Sequence, residues 1–159
     1  FRAVPPSQFK THYVRPMMVG TRCHMLAMYV VMESYLHMVA DYPQAYEGQP
    51  GFEFLQQVPT VWDETKVLNA EVGGYLTIAR RKGNDWYVGT LNNSNTRNLK
   101  VNMNFLPAGS YKAEFYHDSA DAAENPNHLN KETRTVTNRD MINVDLASGG
   151  GQVMHITKQ

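Results

Sequence analysis

Apolar and polar positions follow two different periods along this chain. Between Met17 and Val39 only Arg22 and Glu33 carry formal charge. Within that stretch Cys23, Met25, Leu26, Ala27, Met28, Tyr29, Val30 and Val31 cover every direction around a helix. A helix that is apolar all round is expected to be buried. Gly20-Thr21 supplies its start and Glu33-Ser34 its end. Tyr35-Leu36-His37-Met38-Val39-Ala40 then reads as a short strand buried on both faces, closed by Asp41-Tyr42-Pro43. After a loop with Gly48, Pro50 and Gly51, Phe52–Val58 predicts one short helix that Pro59 stops.

From Val72 onward the period becomes two. Tyr75–Ala79 and Trp86–Leu91 form strands joined by the hairpin turn Lys82-Gly83-Asn84-Asp85. Leu99, Val101, Met103 and Phe105 alternate with Lys100, Asn102 and Asn104, the pattern of a strand with one buried face. Pro107-Ala108-Gly109 turns into a strand over Tyr111–His117. A polar loop, Asp118–Glu132, leads to strands at Thr133–Thr137 and at Ile142-Val144-Leu146. Ser148-Gly149-Gly150-Gly151 is a turn, and Gln152–Thr157 is the last strand. Strands at this spacing, with turn signals between them, indicate an antiparallel sandwich or barrel.

The two halves meet near Pro59–Trp62, which divides the chain into residues 1–60 and 61–159. A fully apolar helix, a strand buried on both faces and one short helix cannot bury each other. Helix–strand–helix around such a strand is the edge of an α/β sheet or barrel. The fold class is therefore α/β plus all-β: the end of an α/β domain followed by a complete antiparallel β-sandwich.

Composition narrows the function classes. Lys+Arg 15 against Asp+Glu 15 leaves no net charge, which argues against a nucleic-acid binder or a polybasic membrane-surface protein. An apolar content of 42% is ample for a packed core. The lone Cys23 makes no internal disulfide and leaves no thiol pair for zinc. Phe1 reads as an internal position of a longer chain, and Phe1–Lys10 has no secretory h-region. The longest apolar run, Met25–Met32, is too short to span a bilayer.

Several runs resemble glycoside hydrolase family 97. Gly20–Ser34 is similar to the penultimate helix of that family's catalytic barrel, and Leu36–Pro43 to its last barrel strand. Val58–Leu68, Ile78–Gly83, Trp86–Gly89 and Leu146–Gly151 are similar to its C-terminal β domain. The resemblance implies a calcium-dependent, exo-acting glycosidase of the bacterial periplasm, acting on α-glucosides or α-galactosides. It further implies an N-terminal β-sandwich, a (β/α)8 barrel and a C-terminal β domain connected with oligomerisation. On that reading residues 1–60 are the tail end of the barrel and residues 61–159 the sandwich. The expected partners are the upstream barrel and N-terminal sandwich, a second copy of the chain, and the oligosaccharide substrate. The family's catalytic and calcium-binding carboxylates lie upstream of the segment matching Phe1, so none is carried onto this chain.

Glycoside hydrolysis needs two carboxyl groups roughly 5–9.5 Å apart across one sugar. The barrel-like half offers Glu33, Asp41, Glu47 and Glu53. Asp41 follows a barrel-like strand, where the active-site face lies, and is a candidate substrate contact; the bland reading is a turn with Pro43. Arg22 and His24, at the start of an apolar helix, are candidates to reach a sugar, or else they find local hydrogen-bond partners. His12, His24 and His37 lack the spacing of a metal site. Asp118, Ser119, Asp121 and Glu124 hint at calcium but lack an EF-hand's spacing. Asn92-Asn93-Ser94 matches a glycosylation acceptor and reads as a turn. Trp62, Trp86, Tyr87, Tyr111 and Tyr116 raise the rival reading, a non-catalytic carbohydrate-binding or protein-interaction sandwich, although aromatics at period two more often fill a core.

Overall fold

The computed structural model describes residues 2–14 and 16–159; Phe1, read above as an internal position, and Arg15 lie outside them. From the N-terminus come β1 (Ala3–Val4), β2 (Met18–Val19), α1 (Arg22–Val31) and α2 (Phe52–Leu55). The strands β3 (Glu64–Glu71), β4 (Tyr75–Lys82), β5 (Asp85–Asn92) and β6 (Arg97–Asn102) follow. They continue with β7 (Ser110–Asp118), β8 (Leu129–Thr137), β9 (Met141–Leu146) and β10 (Gly151–Lys158). One antiparallel sheet runs β3-β4-β5-β10-β7-β8, and β6 pairs with β9 in a second, facing the first. The short β1 and β2 pair in parallel.

Alternation places the main core between these sheets. Trp86, Val88, Phe115, Met154 and Ile156 from the large sheet meet Val101, Ile142, Val144 and Leu146 from the small one. The hairpin closes with Gly83 at φ 59°, a left-handed position that glycine takes without steric cost. The register from Tyr75↔Asn92 to Lys82↔Asp85 runs without a break, as expected for this turn.

The opposite face of the large sheet carries α1 and α2. Leu26, Ala27, Val30 and Phe54 bury against Tyr87, Tyr116 and Val153, an apolar layer distinct from the main core. Thr21 caps α1 with its hydroxyl accepting from the His24 amide at 3.1 Å. Such a cap satisfies one of the amides that a helix start leaves unpaired.

Four expectations need correction. Residues 35–40 form no strand; they run irregularly, with Leu36 and Met38 each 76% exposed, because no neighbouring strand among the described residues offers them a ladder. The helix is not buried all round, since only one layer covers it: Met28 and Met32 stay exposed. The strand expected to reach Phe105 ends at Asn102, and Met103 and Phe105 enter the core from the following turn. The loop after Asp118 is shorter than expected because β8 begins at Leu129. β3 escaped sequence reading altogether: as an edge strand carrying Glu64, Lys66 and Glu71 it shows no apolar alternation.

Candidate functional site

The start of α1 sits on the glycine turn that precedes β10, and the closeness of that approach dictates the residues around it. A side-chain carbon at Gly151 would lie 2.7 Å from the His24 backbone, and one at Gly89 would lie 2.8 Å from the Val30 Cβ. Glycine at both positions lets the helix rest directly on the sheet. Beneath the helix start lies the Asp118 carboxylate at the end of β7. It accepts from the Ala147 amide at 3.0 Å and the Gly151 amide at 3.1 Å. Burial pushes this carboxyl above its ordinary value, against the hydrogen bonds that favour its charge. The neighbouring Cys23 thiol is pushed up strongly, first by burial and then by the Asp118 charge.

Two of the three residues singled out from sequence belong to this junction. Arg22 is buried; its amide donates to the Pro126 carbonyl at 2.7 Å and its guanidinium to the Asn127 side chain at 3.4 Å. Burial lowers its pKa. The His24 ring nitrogen Nδ1 lies 3.1 Å from the Gly150 carbonyl and donates to it. Asp41 lies elsewhere, on the exposed loop after residue 40, where its carboxylate accepts from the Tyr42 amide at 3.0 Å. The structure therefore brings Arg22 and His24 to one side of the helix start and leaves Asp41 on another surface.

The far side of α1 forms one wall of an apolar cleft of about 330 Å³. Met18, Met25, Met28, Met32 and Met38 line it, together with Leu36 and Tyr46. The Tyr29 hydroxyl donates to the Met38 carbonyl at 2.9 Å and fixes the returning chain over the cleft. His37 meets Tyr29 edge-on at 5.4 Å, and both its ring nitrogens are buried without a hydrogen-bond partner among the described residues. Flexible thioethers around such a cleft suit it to adapt to a covering surface.

The aromatic candidates do not line up as a sugar platform. Trp86 is 3% exposed and packs edge-on against Phe105 at 5.0 Å. Tyr111 and Tyr116 are fully buried. Tyr87, whose hydroxyl burial pushes up to about 12, stacks on His155 at 4.5 Å beneath Trp62. His155 in turn contacts Asp85 at 3.1 Å.

The polar loop before β8 is self-contained. Asp121 accepts from Ser119, Asn125 and His128, which hold its carboxyl down to about 2. Among the described residues no group of three or more His, Cys, Asp or Glu side chains is placed to hold a metal ion. Sequence reading missed Asp118 as a junction residue and Gly89 as a contact point, since both depend on what folds against them.

Residues 61–157 match the family model described as "Glycosyl-hydrolase 97 C-terminal, oligomerisation". Over 145 residues, 91% of this chain, the sequence is 39% identical to a retaining alpha-galactosidase from Bacteroides thetaiotaomicron, of which the match covers 22%. It is 28% identical over 127 residues, 79% of this chain, to a probable retaining alpha-galactosidase from Streptomyces bingchenggensis, covering 19% of that protein. Among solved structures, a glycoside hydrolase family 97 enzyme from a Pseudoalteromonas species, in complex with acarbose, superposes with a TM-score of 0.83 at 34% identity. That superposition covers 88% of this chain and 23% of the other. The chain spans about a fifth of the length of the curated relatives it matches.

Proposed function

Because the chain belongs to glycoside hydrolase family 97, we propose that it is the C-terminal portion of an enzyme hydrolysing terminal α-galactosidic bonds with retention of configuration. α-Glucosidic bonds are the alternative substrate. The observation that carries this reading is the 39% identity to a retaining alpha-galactosidase, which extends over 91% of the chain and so beyond the sandwich alone.

In this proposal residues 61–159 are the oligomerisation sandwich and residues 1–60 complete the catalytic (β/α)8 barrel. What supports the second part is the one-sided burial of α1 and the run of exposed apolar residues from Tyr35 to Tyr42. An exposed patch of that kind marks a surface made to be covered. Residues 36–40 would then gain, from an upstream strand, the ladder partner they lack here. Arg22 and His24 act as positioning residues that seat the penultimate barrel helix on the sandwich, and Asp41, on the exposed loop, is the residue proposed to face the substrate side. Calcium is assigned to residues of the parent outside this chain: Asp121 spends both its oxygens on Ser119, Asn125 and His128, and Asp118 directs one oxygen to the Ala147 and Gly151 amides. The parent is proposed to be periplasmic or secreted.

The test is an assay of the complete gene product on p-nitrophenyl α-galactoside and α-glucoside, with the first-formed anomer followed by NMR. Release of the α-anomer of galactose is the expected outcome. Activity on the glucoside alone overturns the substrate assignment, and activity on neither overturns the reading. The 159-residue chain by itself is expected to release no nitrophenol.

A further inference from the structure

The two sheets differ in width, and that difference leaves a polar trough. Among the described residues only β6 and β9 face the inner side of the six-stranded sheet, with β9 against β7, so the sheet extends at β8 beyond the β9 edge without a covering strand. The floor there holds His117, Glu132 and Arg134, with Phe115 buried beneath Arg134, while the edge of β9 at Asn143 and Asp145 forms the wall, around a volume of about 260 Å³. A second, wider cleft of about 690 Å³ adjoins it at His117 and Asp145.

Gln152 stands at the inner end of the trough. Cross-strand register places Thr77, Thr90, Gln152, His117 and Asn130 in one row across the sheet, all on the inner face. Thr77 and Thr90 satisfy each other through a hydroxyl pair at 3.1 Å. Gln152, only 4% exposed, has no such partner: among the described residues its side-chain amide makes no hydrogen bond, and it lines the trough, where its polar atoms stay in contact with solvent. Its donors and acceptor are therefore open to whatever enters the trough.

We propose that this trough binds a neutral oligosaccharide. Its charges are mixed: Glu132 and Asp145 are negative and Arg134 positive, Arg134 lies over the Phe115 ring at 4.4 Å while facing Glu132, and Asp145 accepts from the Asn98 side-chain amide. With one acid in excess, that mixture does not suit a polyanion. The polar floor disfavours an added β-strand on the β9 edge, which would bury Glu132 and Arg134 under a backbone that satisfies neither. Donor-only, acceptor-only and amide side chains interleave instead, and hydroxyl groups, each both donor and acceptor, match such a lining. The adjoining cleft leaves room for a further sugar ring beside the trough. This inference rests on the trough's own side chains and not on the glycosidase reading.

The experiment is an NMR titration of the isotope-labelled 159-residue chain with raffinose and, separately, with maltotriose. Saturable shifts in the Gln152 and Asn143 side-chain amides and in the Arg134 guanidinium are expected for at least one sugar. Gln152→Ala and Asn143→Ala should each weaken binding about tenfold, equivalent to about 1.4 kcal/mol. Asn143 is exposed, so its variant folds even where Gln152→Ala does not. Absence of saturable shifts with both sugars overturns the proposal. So does binding that maps to another face, or that survives Asn143→Ala unchanged. Because no catalytic activity is read, the outcome is independent of what the complete enzyme hydrolyses.

Discussion

The Asp118 carboxylate accepts the Gly151 amide at 3.1 Å, and this hydrogen bond ties the end of β7 to the start of β10 beneath the helix that rests on both. The same oxygen accepts the Ala147 amide at 3.0 Å, so one acid closes the glycine turn from two sides. Asp118→Ala would leave both amides buried without an acceptor, at about 1–3 kcal/mol for each. Chemical denaturation should therefore show a large loss of stability, with Asp118→Asn, which keeps a carbonyl oxygen, losing less.

The same group sets a pH dependence. Burial holds the folded-state pKa of Asp118 above its unfolded value. The native chain thus binds that proton more tightly than the unfolded chain. The resulting stabilisation is complete below the unfolded value and is lost as pH rises through the folded value. Relative to Asp118→Asn, the wild-type chain should lose stability as pH is raised from about 4 towards neutrality, in line with an ordinary aspartate near 3.9. Urea midpoints of both proteins across that range check the sign; a constant difference would show that Asp118 does not titrate there.

Gly89→Ala should lift α1 from the sheet, because the added methyl meets Val30 Cβ at 2.8 Å. Overpacking of this kind costs about 1–3 kcal/mol. Since Gly89 lies on the outer face, the core between the sheets should hold. Hydrogen exchange is expected to accelerate in α1 and stay slow in β5 and β10.

Cys23 offers an independent view of the same motion. Its side chain is fully buried and its thiol pKa is raised well above the ordinary value, so the reactive thiolate is scarce and hidden. An aromatic disulfide reagent should leave the native chain unmodified, and Gly89→Ala should make the thiol react. Rapid labelling of the folded wild-type chain would place Cys23 at the surface and refute the docking geometry.

Trp86→Ala should destabilise the chain by about 3–5 kcal/mol, the range for truncating a large buried aromatic. Trp86 is 3% exposed in the main core, with the Lys66 ammonium 5.1 Å from its ring centre. Calorimetry measures the fall in Tm. An unchanged Tm would mean the ring sits outside the core.

Met32→Glu tests the opposite case. Met32 lies on the exposed side of α1, at the apolar cleft, so the charge should change the stability of the 159-residue chain by less than about 0.5 kcal/mol. In limited proteolysis, cleavage should come first within residues 33–50, where the chain is irregular, and leave the sandwich intact.

The amino-acid pattern determined the β half almost element by element. Period-two alternation, the Gly83 turn and the polar link after Asp118 sufficed to place β4, β5, β7, β9 and β10, because each of these strands has one face on the core and local rules govern the rest. It also placed α1, whose cap and composition are local. Tertiary structure alone decided what each element lies against. The order β3-β4-β5-β10-β7-β8 brings Gln152 between Thr90 and His117, residues far apart in sequence, and no periodicity encodes such a neighbourhood. The burial of Arg22, the pairing of Asp118 with the glycine turn and the need for glycine at position 89 arise only when α1 docks. Residues 35–40 make the same point in reverse. Their apolar composition reads as a buried strand, yet a strand exists only where another backbone completes its hydrogen bonds, and among the described residues none does.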